Sequence, residues 1–167
     1  KPKTAYEIGV RLVGSEMCIR DSFFADTNAG GIGVAHNGNL TNSISLRNKL
    51  VEDGAIFYTT SDTETIVQLI AKSKRPKTID KIVDAIFQIQ GGYALVMLTQ
   101  RSLIGVRDPF GIRPLVIGKL KNSYVLASET CALDIIGAKY VRDIDNGEIV
   151  CIFFGLLNRS VIFSDNE

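Results

Sequence analysis

Residues 30–42 read GGIGVAHNGNLTN, and where this stretch is cut decides the fold. GGIGVAH alternates small and apolar residues as a strand does, and Asn37-Gly38 carries the strongest short turn signal in the chain. A strand is therefore expected to end at that corner. Thr41 or Asn42 can cap the helix that follows, in which Ile44, Leu46, Leu50 and Val51 fit one apolar face and Gly54 closes the end.

Downstream, AIFYTT at 55–60 is rich in β-formers and is expected to be a short strand. Ser61-Asp62-Thr63-Glu64 has capping-box spacing, with Ser61 bonding the Glu64 amide while Glu64 reaches back. The helix it opens should bury Ile66, Val67, Leu69 and Ile70 and give way to a basic loop, KSKRPK. Thr78 opens a third helix, whose Ile79, Ile82, Val83, Ile86 and Phe87 follow helical spacing. YALVMLT, LIGVRD, PLVIGKL and SYVLASE then read as strands, and their short connections predict antiparallel neighbours. A short helix over 130–136 should end at Gly137. KYVRDI is expected to meet EIVCIFF as a hairpin across Asp145-Asn146-Gly147, and FFGLLNRSVIFSDNE to fold back as another. Upstream, residues 1–22 show no sustained period and are set apart from a domain spanning 23–167. Helices gathered early and strands gathered late describe an α+β fold.

Composition narrows the function. The chain has 167 residues, 46% of them hydrophobic, which suits one domain with a real core. Nineteen Lys and Arg against eighteen Asp and Glu leave a charge of +1, so no field gathers nucleic-acid phosphates. The longest apolar run, from Ile149 past Gly155 to Leu157, falls short of the roughly 20 residues that cross a bilayer. Neither nucleic acid nor membrane is an expected partner. Cys18, Cys131 and Cys151 are odd in number and form no C-x-x-C, which argues for a reducing cytoplasm and against zinc or a disulfide framework. Cys131 reads as a small buried residue at a helix start. The single His36 leaves little scope for metal chemistry and reads as a hydrogen-bonded core histidine.

Three places could carry chemistry. At Asn37 and Gly38 a carboxamide and a backbone N–H could together hold an oxyanion, as acyl transfer requires. Asp62 sits in the first turn of a helix whose cap is already supplied by Ser61 and Glu64, which frees its carboxylate for a ligand cation such as an α-ammonium group. GVRDPFGIRPL at 105–115 reads as a structural corner with an internal Arg–Asp pair and no catalytic part. GGIG at 30–33 leads into a strand and is no dinucleotide fingerprint.

Taken in order, HNGNLTN, SDTE, GGYALV, GVRDPFGIRPLVIG and ASETCALDIIGAKYVRDIDNGE resemble the glutaminase domain of the amidophosphoribosyltransferase (glutamine phosphoribosylpyrophosphate amidotransferase) family, from about residue 23 to 152. The resemblance implies an N-terminal-nucleophile hydrolase fold, an α-β-β-α sandwich of two antiparallel sheets, here incomplete at its N-terminus. It implies glutamine as substrate, hydrolysed by an N-terminal cysteine, with ammonia passed to phosphoribosylpyrophosphate in a second half to give 5-phosphoribosylamine for purine synthesis. By position, Asn37 and Gly38 resemble the oxyanion-hole residues and Asp62 the carboxylate that grips the glutamine α-ammonium. Magnesium, and an iron–sulfur cluster where the family has one, are expected in the second half, with no cofactor in this chain and a homo-oligomeric parent enzyme. Lys1 stands where the nucleophilic cysteine would be, and no arginine-bearing segment of the RYST type, which holds the substrate α-carboxylate, is found. The expectation is a truncated domain that binds glutamine weakly at most and releases no ammonia. The alternatives are a fragment of an asparagine-synthetase-like amidotransferase and a non-catalytic glutamine-sensing module.

Overall fold

The computed structural model describes residues 22–27, 30–153 and 156–162. The segment set apart at the N-terminus therefore lies almost wholly outside the described residues, as does Cys18. Two antiparallel sheets form the centre. The larger has the strand order β1-β2-β3-β4-β8-β9, built from Ser22–Thr27, Gly30–Leu40, Gly91–Thr99, Ser102–Arg107, Glu148–Phe153 and Leu156–Ile162. The smaller has the order β6-β5-β7, from Ser123–Ala127, Val116–Leu120 and Lys139–Asp143. Helices α1 (Ser43–Glu52), α2 (Asp62–Lys72) and α3 (Thr78–Ile86) follow β2, and α4 (Thr130–Ile136) follows β6.

Side-chain alternation explains the layering. Along β2 and β3, Ile32, Val34, Leu95 and Met97 point to one face and pack with Leu46 and Leu50 of α1, Ile66, Val67, Leu69 and Ile70 of α2, and Ile82 and Ile86 of α3. Each such burial is worth about 1.5–3 kcal/mol, so this face anchors all three helices. The opposite face of β3, β4 and β8 meets the smaller sheet through Ala94, Val150, Ile152, Leu115, Ile117 and Ile144. Leu133 of α4 covers the far side of the smaller sheet, packing with Val116 of β5 and with Ala138. The result is the expected α-β-β-α order.

Several local expectations change. Strand β2 does not end at Asn37-Gly38. It runs on to Leu40, with Gly38 opposite Tyr93 and Asn39 opposite Gly92. Gly38 has φ +142, and a Cβ there would stand 2.1 Å from the Gly92 carbonyl oxygen. The glycine thus serves a close strand approach and not a hairpin. Residues 55–60 form a loop instead of a strand. On α1, Leu46 and Leu50 are buried, whereas Ile44 and Val51 face solvent, and Phe87 just after α3 is exposed as well. KYVRDI and EIVCIFF belong to different sheets: β7 pairs with β5, while β8 pairs with β4 and β9. Asp145-Asn146-Gly147 carries the chain from one sheet to the other. Cys131 is exposed, not buried.

Candidate functional site

The end of β2, α1, the 55–60 loop and the start of α2 enclose an open cavity of about 920 Å³, lined among others by His36, Gly38, Asn39, Arg47, Phe57 and Asp62. Its wall is held by a carboxylate. Glu64, 1% exposed in the first turn of α2, accepts the Tyr58 and Thr59 amides at 2.8 and 2.7 Å and the Thr59 hydroxyl at 2.8 Å. The capping box is therefore not reciprocal: Ser61 Oγ accepts from the Thr63 amide at 3.2 Å, while Glu64 grips the preceding loop. Amides that a strand would have paired are spent on this carboxylate, which is why 55–60 is a loop.

Asp62 is tied across the cavity floor. Its Oδ2 accepts the Leu40 amide at 2.9 Å, fixing the helix start to the strand end. Among the described residues no other hydrogen bond engages this carboxylate, and its other oxygen keeps its lone pairs unused by them. Gly38 and Asp62 line the same cavity, whereas Asn37 does not. Asn37 is exposed in a cross-strand row with Ala94 and Arg107, on the face that turns toward the smaller sheet. His36 is buried and lines the cavity from the helix side.

Sequence reasoning missed Arg47, Phe57 and the clamp by Glu64. The Arg47 guanidinium lies 4.0 Å from the centre of the Phe57 ring. Only the i, i+10 relation between a helix residue and a loop residue joins them, and no motif encodes it. The corner at 105–115 also differs in detail from expectation. Arg107 donates to the carbonyls of Arg113, Ile144 and Gly111, and buried Asp108 accepts the amides of Phe110, Ile112 and Arg113, so each charge braces backbone and not the other. No group of three or more His, Cys, Asp or Glu side chains among the described residues could hold a metal ion, and the cavity offers magnesium only one carboxylate.

The stacked sheets and their outer helices define the N-terminal-nucleophile hydrolase class of fold. The chain belongs to the glutamine amidotransferase domain family, whose profile matches residues 20–134. It is 52% identical over 127 residues to an amidophosphoribosyltransferase of Rhizobium etli, an alignment covering 76% of this chain and 26% of that protein. Glutamine phosphoribosylpyrophosphate amidotransferase from B. subtilis, solved with ADP and GMP, superposes with a TM-score of 0.81 at 40% identity, covering 87% of this chain and 31% of that one. A structure described as the allosteric regulatory enzyme of purine biosynthesis gives a TM-score of 0.82 at 39% identity, covering 86% and 31%. The chain thus spans about a quarter of the length of the curated relative and under a third of the solved ones.

Proposed function

We propose that the chain is the glutamine-binding half of an amidophosphoribosyltransferase. In this reading glutamine enters the cavity, Asp62 neutralises its α-ammonium, and the Gly38 backbone amide faces its carboxamide. Ammonia released from that carboxamide displaces pyrophosphate from phosphoribosylpyrophosphate in a phosphoribosyltransferase half, for which the greater length of the relatives leaves room. The carrying observation is that Asp62, held by the Leu40 amide, shares one hollow with Gly38. Asp62 is the one carboxylate among the lining residues, beside amides, hydroxyls, aromatic rings, His36 and the Arg47 guanidinium, and it suits an amino acid's ammonium. The same reading takes the parent enzyme as a cytoplasmic homo-oligomer. Asn37 does not line this hollow, and its expected oxyanion role belongs to the later acyl-transfer step of the same proposal.

Titration of the polypeptide with L-glutamine by calorimetry tests the proposal. Binding is expected, and Asp62→Ala should weaken it by about tenfold or more, the loss of one charge-assisted contact. Absence of glutamine binding, or unchanged affinity in Asp62→Ala, overturns it.

A further inference from the structure

We infer that the basic loop KSKRPK, residues 72–77, is a docking surface for an acidic, partly apolar segment of a partner protein. The loop joins α2 to α3. Asp62 begins α2 and Lys72 ends it, so the loop lies about 15 Å along that helix from the carboxylate of the amino-acid cavity. The inference is therefore independent of the proposed glutamine site.

The loop is built to a fixed shape. The Ser73 amide donates to the Leu69 carbonyl at 3.1 Å and its hydroxyl to Asp84 Oδ2 of α3 at 2.7 Å. The other oxygen of Asp84 stands 3.7 Å from Arg75 Nε, the Arg75 amide donates back to Ser73 Oγ at 3.4 Å, and Pro76 removes a further degree of freedom. On this braced backbone Lys74, Arg75 and Lys77 are exposed.

Three hollows of about 410, 460 and 400 Å³ follow one another along the loop. Lys49, Lys72 and Lys74 line the first, Arg75 the second, Lys77 and Arg101 the third. Against these six cations stand three carboxylates, Asp53, Asp80 and Asp84, so the tract holds more positive charge than the whole chain, whose net charge is +1. Asp53 pairs with Lys72, whereas among the described residues no carboxylate pairs with Lys49, Lys74, Lys77 or Arg101. Unpaired cations of this kind steer and orient an anionic partner.

The shape decides which anion. From Lys72 to Lys77 the loop reaches at most about 18 Å, the span of five or six residues of extended chain and far more than a single small anion covers. Phe87, 63% exposed, lines the middle hollow beside Val83 and offers an apolar seat between the cations. Nucleic acid, with a phosphate every ~3.4 Å along each strand, would set charges against Asp80 and Asp84. A bilayer is flat and would leave the hollows unfilled. Carboxylates spaced by apolar side chains match both the cations and the Phe87 seat.

Fluorescence anisotropy tests this with a labelled peptide of about a dozen residues repeating Glu-Glu-Leu, beside an all-Glu and a Gln-Gln-Leu peptide. The wild-type polypeptide should bind the Glu-Glu-Leu peptide about tenfold or more tightly than the Gln-Gln-Leu one, and added salt should weaken it. Reversing two charges, Lys74→Glu with Lys77→Glu, should cost about tenfold. The neutral pair Lys74→Gln with Lys77→Gln should cost about threefold, and it decides the matter if circular dichroism shows the reversed pair unfolded. Phe87→Ser should weaken the Glu-Glu-Leu peptide and leave the all-Glu peptide unchanged. Absence of Glu-Glu-Leu binding, or full binding in both lysine pairs, overturns the inference. Tighter binding of single-stranded DNA or of phosphatidylserine vesicles overturns the assignment to a protein partner, and equal loss of both acidic peptides in Phe87→Ser overturns its apolar part.

Discussion

Glu64 shows how far one side chain departs from its local motif. In S-x-x-E spacing it should complete its own helix cap, yet its two oxygens accept three bonds from residues five and six positions earlier. The Tyr58 and Thr59 amides outcompete the cap because they arrive together on a loop that closes over a fully buried carboxylate. Removing the carboxylate strands those donors. Glu64→Ala should therefore cost about 1–3 kcal/mol in urea unfolding and lower hydrogen-exchange protection at the amides of residues 58 and 59. Protection unchanged from the wild type would mean that the loop is held by something else. Asp62, two positions before Glu64, was legible as a carboxylate with no capping duty. That its Oδ2 would take the Leu40 amide was not, since residues 40 and 62 meet only when α1 folds back over the sheet.

At the scale of elements, the apolar periodicity of α2 was reliable, that of α1 held only for Leu46 and Leu50, and the junctions were not legible. Ile66, Val67, Leu69 and Ile70 are all buried on α2 as their spacing implies, and Gly137, at φ 69, ends α4 where expected. Asn42 occupies the N-cap position of α1, but its side chain makes no bond to that helix. Its amide donates to the Gln88 carbonyl at 2.8 Å and its oxygen accepts the Gln90 amide at 3.0 Å, joining α1 to the start of β3. The β7–β8 junction carries a hairpin signal and makes no hairpin, because each strand finds a better partner in its own sheet. Glu148 at its far side takes both Arg142 guanidinium nitrogens, at 2.7 and 2.8 Å, and this contact raises the Arg142 pKa. Placement in an element also sets thiol chemistry. Cys151 lies inside β8, where burial pushes its thiol up from 9.0, while Cys131 is exposed on α4 with a hydrogen bond to Glu129 that raises it from the same value. Both thiols stay protonated at neutral pH, and because the folded pKa of Cys151 is raised, the stability it lends is complete below pH 9 and fades as the pH climbs through the folded value. Peptide mapping after brief alkylation should find Cys131 modified, faster above pH 9, and Cys151 untouched until urea is added. Equal labelling of the two in the native state would contradict the burial of β8.

Across the whole molecule, the smaller sheet covers only part of the larger one. One cross-strand row runs Phe24, Gly33, Leu98, Leu103 and Ile152, and the smaller sheet packs only against its Leu103 and Ile152 end. Phe24, with its ring edge against Gly31, stays 74% exposed and Leu98 61% exposed. Apolar surface of this kind favours association, so sedimentation should show concentration-dependent self-association that Phe24→Ser reduces. A monomer at all concentrations would argue that the row is too narrow to drive it. The sequence by itself determined the α+β class, the antiparallel strands, the buried face of α2 and the ordered motifs that mark a glutamine amidotransferase, because these depend on spacings of a few residues and on residue chemistry. Tertiary structure alone decided that β2 continues through Gly38, that β7 and β8 part between sheets, and that Arg47, Phe57 and Asp62 share one hollow. Each of these depends on which distant backbone competes for the same donors and the same apolar face, a choice settled only when the whole chain packs.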